Sequence, residues 1–328
     1  DGGPGYRSDL RGVDPFVAVK WDEANKLVAV EIDRVKKNYG NRAIFGGSYG
    51  WASAGRFHHA QSQLHRFLNC AGGYTRSKFT YSFAAAEAMV PHILGSFREY
   101  LDTCTSWDSI EENTELFLCF GGVPLKNGQI AQGGTGSHYQ KEKLIRSAGA
   151  GIKFVNFSPL KSDLLDQING EWLALRPNTD VAIMMGLAHT LYKENLYDVE
   201  FIKKYTEGFD IFLPYLLGDI DGTPKDANWA SDISEISSDK IISLAKEMSS
   251  KRTMISVSWS LTRQDHGEQP FWTAIMLASM LGQIGLPGGG FGFGYSATNH
   301  IGGQFSIIPG AAFPQDQNKI CLLYTSPS

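Results

Sequence analysis

The sequence predicts an α/β fold in which a doubly wound, mostly parallel sheet carries helices on both faces. Two patterns indicate this class. Short, mostly apolar runs alternate with segments of helical length through the middle of the chain. Each apolar run is followed by a loop of small and polar residues, as expected where ligands bind at the carboxyl ends of parallel strands.

The first part of the chain predicts helices around a glycine-rich hinge. An amphipathic helix is expected to begin at Asp22, whose carboxylate suits a helix cap, and to end at Gly40. The hinge, Phe45-Gly-Gly-Ser-Tyr-Gly-Trp51, holds two large rings on glycines and therefore resembles the wall of a binding pocket. The other elements expected here are a strand at 43–45 and helices at 57–70 and 83–94.

The middle of the chain predicts the sheet. The expected elements are strands at 116–120, 152–157 and 253–259 and helices at 140–147, 180–193, 238–249 and 271–283, the third capped by Ser237 or Ser238. Candidate ligand loops follow at 121–127, 158–163, 260–268 and 287–294. The predicted domains are 1–107, 108–290, a return segment at 291–320 and a non-native tail at 321–328.

Composition limits the partners. Thirty basic and thirty-four acidic residues, without long runs of either sign, disfavour nucleic acid or an anionic membrane surface as the main partner. None of the four cysteines forms a C-x-x-C pair, so neither a zinc site nor a local iron–sulfur run is visible. No segment has the apolar length of a membrane span. A small ligand is expected.

A serine hydrolase is one possible function. The stretch Gly46-Gly47-Ser48-Tyr49-Gly50 satisfies the G-x-S-x-G pattern of a nucleophile elbow. Triad partners in the required chain order are Asp163 or Asp180 with His189, His266 or His300. No oxyanion loop of the His-Gly-Gly-Gly type precedes the elbow, which disfavours this function but leaves it open.

Ser82 and Trp259 have structural interpretations from the sequence alone. Ser82 precedes an alanine-rich helical stretch, where a serine ordinarily caps the helix. Trp259 is the last residue of the strand expected at 253–259, and a tryptophan there is more often a core residue than a site residue.

Several motifs taken together resemble the dimethyl sulfoxide reductase family of molybdenum enzymes. They are "GGSYGW", "YS" with a following "AAA" and "MVPHILG", "PLKN", "RPNTDVA", "HGEQ" and "MLGQIGLPGGGFGFG", in this order from about Val13 to Pro314. The resemblance implies molybdenum held by two molybdopterin guanine dinucleotides and oxygen-atom transfer from an S-oxide or N-oxide such as dimethyl sulfoxide, biotin sulfoxide or trimethylamine N-oxide. It also implies a longer protein, whose C-terminal half lies outside this chain.

The resemblance assigns catalytic roles to three residues. Ser82 matches the serine whose oxygen ligates molybdenum, and a hard oxygen donor suits a high-valent metal. Tyr49 matches a hydrogen-bond donor to the substrate oxygen, and its presence favours sulfoxides over N-oxides. Trp51 matches a residue of the substrate funnel.

The resemblance also assigns cofactor contacts. The matching positions are Gly122, Pro124, Lys126, Asn127, Ser158, Pro159, Asp163, Thr179, Asp180, Trp259, Arg263, Gln283, Gly288 and Gly289. Asp180 is expected to contact guanine, because a carboxylate can accept two hydrogen bonds from the guanine edge.

The resemblance also suggests where the protein is located and how it receives electrons. Any N-terminal iron–sulfur motif would precede Asp1. A periplasmic monomer that receives electrons from a multihaem c-type cytochrome is expected. A cytoplasmic enzyme with a soluble reductant is the alternative, as in biotin sulfoxide reductases. The physiological oxide is left open.

Overall fold

The structure, a computed structural model, describes residues 8–53, 58–126, 128–131, 136–303 and 323–324. These residues form two compact units, one from 8–48 and 62–77 and the other from 49–61 and 78–303. The return segment predicted at 291–320 is described as far as residue 303. Of the predicted tail, only Leu323–Tyr324 is described.

Helix α1 and most of α2 belong to the first unit. Helix α1 (Trp21–Tyr39) ends at Gly40, as predicted, where a φ of 76° suits a residue without a Cβ. The predicted Asp22 cap is wrong, because Lys20 occupies the cap position and makes no side-chain capping bond. Helix α2 is Ala60–Cys70.

The strand predicted at 43–45 is wrong. A 3₁₀ turn, Asn41–Ala43, includes the first residue of that range. Phe45 makes only an isolated parallel bridge with Thr75. The glycines of the hinge interrupt the chain before a longer ladder can form.

The second unit contains the large sheet and the remaining helices. Its strands are β2 (Leu116–Phe120), β3 (Lys153–Phe157), β4 (Glu171–Leu173), β5 (Thr253–Val257) and β6 (Gly290–Phe293), while the short strands β1 (Ser77–Lys78) and β7 (Leu323–Tyr324) pair separately. Its helices are α3 (Ala84–Leu94), α4 (Phe97–Asp102), α5 (Trp107–Asn113), α6 (Gln140–Gly149), α7 (Asp180–Lys193), α8 (Val199–Tyr205), α9 (Phe209–Leu217), α10 (Ala227–Ser234), α11 (Ser238–Ser250) and α12 (Gln269–Met280).

The five-stranded sheet is parallel throughout and doubly wound. Its strand order is β4-β3-β2-β5-β6. The chain builds outward from β2 to β4, then returns through α7–α11 to place β5 on the other side of β2. The order therefore reverses between β2 and β5, and the carboxyl ends of these two strands flank the crevice where such sheets bind ligands.

Aromatic packing covers both faces of the sheet. Phe117 of β2 stacks with Trp107 of α5, with ring centroids 5.9 Å apart. Phe293 of β6 lies on the opposite face by register, and its ring is 4.5 Å from that of Phe271 in α12. A sheet buried on both sides requires mostly apolar residues on both sides, which explains the unbroken apolar run of β2 and the complete burial of β5.

Several predicted elements agree with the structure. Strand β2 and helix α7 have the predicted bounds, and the Ser237 side chain caps α11 by accepting the Lys240 N–H. The strand expected at 253–259 ends earlier, at Val257, and the helix expected at 271–283 is shifted to Gln269–Met280. None of the described helices combines the length and apolarity needed to cross a membrane.

The ligand loop predicted at 287–294 is wrong. Residues 290–293 form strand β6, which pairs in parallel with β5. The sequence did not indicate this strand, because glycines at 290 and 292 leave it without the side chains that make a strand recognisable.

Gly292 has no room for a side chain, which predicts a stability effect. A Cβ at this position would collide with the ring of Tyr295, which is buried and donates a hydrogen bond to the Thr105 carbonyl at 2.6 Å. We expect Gly292→Ala to lower the free energy of unfolding by about 1–3 kcal/mol in urea titration, because the buried ring cannot move away. Gly149→Ala is the control, since nothing lies within 4 Å of a Cβ there. Equal stabilities of the two variants would contradict this packing.

Candidate active site at the carboxyl edge of the sheet

The loops after β2 and β3 are joined at the carboxyl edge of the sheet. Gly121 N–H donates to the Phe157 carbonyl at 2.8 Å, and Val123 N–H donates to the Asp163 carbonyl at 2.7 Å. Gly122 has a φ of 78°, and a Cβ there would lie 2.5 Å from the Asp163 Cβ. Only glycine therefore permits this close approach of the two loops.

The Asp163 carboxylate bonds two other predicted cofactor residues. It accepts from Ser158 Oγ at 2.8 Å and from Lys126 Nζ at 3.3 Å. Ser158 is buried, whereas the Lys126 side chain is largely exposed. Among the other predicted residues nearby, Pro124 is half-buried, Pro159 is exposed, and Asn127 lies outside the described residues.

The loop after β5 completes the edge beside β2. Ser258 N–H donates to the Phe120 carbonyl at 2.8 Å, which joins the carboxyl end of β5 to that of β2. Trp259 begins a 3₁₀ turn, Trp259–Thr262, and its indole Nε1 is buried without a hydrogen-bond partner among the described residues. Arg263 follows that turn and is exposed.

The turn that carries Ser82 lies against the loop after β5. The ring of Phe83 meets Trp259 edge-on, with centroids 4.3 Å apart, a geometry that contributes about 0.5–1.5 kcal/mol. Thr262 Oγ1 lies 3.4 Å from the Ser82 carbonyl, while its single proton is donated at the shorter distance of 2.9 Å to the Trp259 carbonyl. Together these contacts bring Ser82 to the carboxyl edge of the sheet.

Ser82 and Tyr49 meet through their hydroxyl groups. Tyr49 Oη lies 2.9 Å from Ser82 Oγ and 3.1 Å from Thr80 Oγ1. Tyr49 is 62% exposed, so much of the residue faces solvent. Trp51 is half-buried in the following turn, where its N–H donates to the Tyr49 carbonyl at 2.8 Å.

The sequence-based assignment of Ser82 as a helix cap is wrong. Phe83 occupies the cap position of α3 and makes no side-chain capping bond. The Ser82 hydroxyl instead contacts the Tyr49 hydroxyl and is not used in capping the helix.

Asp180 is a buried carboxyl group at the start of α7. It is 3% exposed, and its Oδ1 has no hydrogen-bond partner among the described residues. Burial raises the pKa of Asp180 to about 7. Its neighbour Thr179 donates from Oγ1 to the Arg176 carbonyl at 2.6 Å, which fixes the turn into the helix.

Three predicted cofactor residues lie elsewhere. Gln283, Gly288 and Gly289 precede β6, at the amino edge of the sheet and opposite the candidate site. The Gln283 side chain accepts from Thr253 N–H at 2.7 Å, and the Gly288 carbonyl accepts from Thr114 Oγ1 at 2.6 Å. The structure therefore does not bring these three residues together with the other predicted cofactor residues. Gln283 and Gly288 instead form hydrogen bonds near the amino ends of β5 and β2.

The geometry contradicts the serine hydrolase. Ser48 does not follow a strand of the five-stranded sheet, so residues 46–50 do not form a nucleophile elbow. The candidate histidines have other neighbours. His300 Nδ1 lies 3.0 Å from Thr298 Oγ1, and the exposed His266 lies 3.8 Å from Asp265 and Glu268.

Comparison with known proteins decides the family. The model of the family described as "Molybdopterin oxidoreductase" matches residues 3–322. The chain belongs to the molybdopterin oxidoreductase family. Similar members include a biotin sulfoxide reductase of Cereibacter sphaeroides, 44% identical over 93% of this chain, and a dimethyl sulfoxide/trimethylamine N-oxide reductase of Rhodobacter capsulatus, 46% identical over 87%. A trimethylamine-N-oxide reductase of Haemophilus influenzae is 42% identical over 88%.

The chain spans only part of these relatives. It covers 41% of the Cereibacter sphaeroides protein and 34% of the Rhodobacter capsulatus protein. Among solved structures, acetylene hydratase from Pelobacter acetylenicus matches with a TM-score of 0.51 and 18% identity, over 81% of this chain and 33% of that one. This likeness confirms the α/β fold.

The residues at the carboxyl edge fit a molybdopterin cofactor. Asp180 Oδ1 and Trp259 Nε1 are buried and find no hydrogen-bond partner in the described part of the chain, so they are an acceptor and a donor that a polar ligand can satisfy. Gly294 borders the same indole, and a Cβ there would collide with Nε1. At the same edge, the Ser82 hydroxyl is a hard oxygen donor of the kind that suits a high-valent metal.

Three residues near Ser82 could not be recognised from the motifs: Thr80, Glu87 and Thr262. Each contacts the Ser82 turn, through a hydroxyl group or a carboxylate. Thr80 is the one a local signal could have found, because it lies two residues before Ser82. Glu87 and Thr262 become neighbours of the turn only through folding.

Asp180 predicts a dependence of stability on pH. The ordinary aspartate pKa is about 3.9. The folded protein therefore keeps a proton between about pH 4 and pH 7 that the unfolded chain releases, so the free energy of unfolding falls as pH rises through this window. We expect Asp180→Asn to remove this fall and to be more stable than the wild type at pH 8, by on the order of 2–4 kcal/mol.

Urea titrations from pH 4 to pH 8 measure this effect. Asp239→Asn is the control, because Asp239 is exposed in the first turn of α11 and should leave the wild-type pH dependence unchanged. Equal pH dependence of the wild type and Asp180→Asn would contradict a buried, protonated Asp180.

Proposed function

We propose that the protein containing this chain is a molybdenum-dependent reductase that takes an oxygen atom from an S-oxide or N-oxide. The observation that carries this proposal is the pair of hydroxyl groups at the carboxyl edge, Ser82 Oγ and Tyr49 Oη, 2.9 Å apart. Membership of the molybdopterin oxidoreductase family and the names of the relatives support it.

Ser82 would hold the metal. Its oxygen is held at the edge by a turn that packs on Trp259. When bound, the molybdenum cofactor supplies the two-electron chemistry that removes oxygen from the substrate. The protein contributes position: the turn keeps Ser82 Oγ beside the hydroxyl of Tyr49.

Tyr49 would orient and polarise the substrate. Its phenol can donate one hydrogen bond to the oxygen of a sulfoxide, which gains negative charge as its bond to sulfur weakens. Much of the Tyr49 residue faces solvent. We therefore propose a sulfoxide as the preferred substrate, with Trp51 lining the entrance beside Tyr49.

The cofactor would be the guanine dinucleotide form. Gly122, Ser158 and Asp163 lie at adjacent strand ends, where backbone and hydroxyl groups can hold a pterin nucleotide. The unpartnered Asp180 oxygen can accept guanine N–H groups, and such bonds would favour its carboxylate form. Lys126, Trp259 and Arg263 supply further donors at this edge.

Location and electron supply belong to the same proposal. We propose a periplasmic monomer that receives electrons from a multihaem c-type cytochrome. Recovery of sulfoxide reduction in the periplasmic fraction of the native cells would support this location, and recovery in the cytoplasmic fraction would contradict it.

Replacement of Ser82 tests the assignment of the metal ligand. In the cofactor-loaded protein, we expect Ser82→Ala to lower kcat by more than about 100-fold, because a direct ligand should matter at least as much as the groups that orient it. Molybdenum and guanine nucleotide content are measured alongside, with one metal and two nucleotides expected per wild-type chain. Ser243→Ala, on the outer face of α11, is the control and should keep wild-type turnover. Full activity of Ser82→Ala would contradict the assignment.

Replacement of Tyr49 tests the hydrogen bond to the substrate. We expect Tyr49→Phe to retain wild-type molybdenum content and to lower kcat/KM for a sulfoxide by about 10- to 100-fold, because one transition-state hydrogen bond is lost. Steady-state kinetics with dimethyl sulfoxide and trimethylamine N-oxide measure the change. An unchanged kcat/KM for both substrates would show that Tyr49 plays no part in polarising either oxygen.

A further inference from the structure

The Thr80 hydroxyl touches both catalytic candidates. Thr80 Oγ1 lies 3.1 Å from Tyr49 Oη and accepts the Ser82 backbone N–H at 3.3 Å. Since Tyr49 Oη also lies 2.9 Å from Ser82 Oγ, the three hydroxyl groups form one connected cluster. Thr80 therefore contacts both Tyr49 and the backbone of the Ser82 turn.

The backbone around Thr80 is strained and anchored. Phe79 has a φ of 66°, a left-handed conformation that is unusual for an aromatic residue. Immediately after it, Thr80 N–H donates at 3.2 Å to the carboxylate of half-buried Glu87, in the first turns of α3. Strained backbone persists only where surrounding bonds hold it, and the Glu87 carboxylate supplies such a bond.

The number of hydroxyl protons decides which group donates in each contact of the cluster. A metal-bound serine oxygen has no proton to donate, so in the loaded protein the hydrogen bond between Tyr49 and Ser82 must use the proton of Tyr49. The tyrosine has only that one proton. The contact between Tyr49 and Thr80 must then use the proton of Thr80, which leaves the Tyr49 proton for Ser82 Oγ or for a substrate oxygen.

We propose that Thr80 is a positioning residue that donates a hydrogen bond to Tyr49 Oη and thereby aims the Tyr49 proton at the substrate, with Glu87 holding Thr80 in place. This inference rests on the proposed function, since it assumes that Tyr49 donates to the substrate oxygen. Thr80 itself touches no reacting atom.

Two substitutions separate the hydroxyl from the shape of the side chain. Thr80→Val keeps the branched shape and removes the hydroxyl, whereas Thr80→Ser keeps the hydroxyl. In the holoenzyme, we expect Thr80→Val to lower kcat/KM for a sulfoxide by about 3- to 10-fold, the size of one net hydrogen bond. Thr80→Ser should stay within about twofold of the wild type, and molybdenum content should be the same in all three proteins.

A double-mutant cycle decides whether Thr80 acts through Tyr49. In the Tyr49→Phe background, we expect Thr80→Val to change kcat/KM by less than about twofold, because the group that it positions is already absent. A loss as large as in the wild-type background would overturn the proposal.

An NMR measurement gives a readout independent of turnover. With ¹³Cζ-labelled tyrosine, the Tyr49 resonance is identified by its loss in Tyr49→Phe. We expect it to shift in Thr80→Val and to return toward the wild-type position in Thr80→Ser, and an unshifted resonance in Thr80→Val would overturn the proposal. Because this test needs no substrate, it still decides the hydrogen bond if the wild-type enzyme reduces neither S-oxides nor N-oxides, a result that would defeat the proposed function instead.

Glu87 is tested by a matched pair. Glu87→Gln keeps a side-chain oxygen that can accept the Thr80 N–H, whereas Glu87→Ala does not. We expect Glu87→Ala to shift the Tyr49 resonance in the same direction as Thr80→Val, and Glu87→Gln to leave it near the wild-type position. An unshifted resonance in Glu87→Ala would overturn the role of Glu87.

Discussion

The parallel pairing of β2 with both β3 and β5 is the constraint on which the rest of the structure depends. Because both pairings are parallel, the loops after all three strands emerge at one edge of the sheet. The next backbone bonds, from Gly121 N–H to Phe157 and from Ser258 N–H to Phe120, continue the pairing beyond the strands. They fix the starting point of each loop, so groups far apart in sequence meet at the edge.

The Ser82 turn is a second layer built on that edge. It comes from a segment outside the sheet and reaches the loop after β5 through Phe83, Trp259 and Thr262. The hydroxyl cluster around Tyr49 is therefore positioned by packing on the same loops that would carry the cofactor. The proposed metal ligand, substrate contact and cofactor contacts therefore share one edge of the sheet, although they are far apart in the sequence.

The sequence was sufficient to predict the elements that are apolar and long enough to leave a clear pattern. Strand β2 and helix α7 were predicted with their observed bounds, because each has a continuous buried run. Strand β6 was missed because glycine supplies two of its four residues. The edge strand β4 was missed because it is only three residues long.

The candidate site was predicted only in part. Tyr49 and Ser82 came from the family resemblance, and the structure places their hydroxyl groups together. Gln283 was placed in the site from its motif, but its amide bonds the amino end of β5, since a motif does not reveal which edge of a sheet it occupies. Glu87 carried no signal, because its contact with Thr80 arises only after the strained turn has formed.

X-ray absorption at the molybdenum edge tests the central claim most directly, that Ser82 Oγ binds the metal at the carboxyl edge of the sheet. The wild type, Ser82→Ala and Ser82→Cys would be compared in the cofactor-loaded protein. The account predicts that one oxygen neighbour of the metal is lost in Ser82→Ala and replaced by sulfur in Ser82→Cys. Identical metal environments in all three proteins would contradict it.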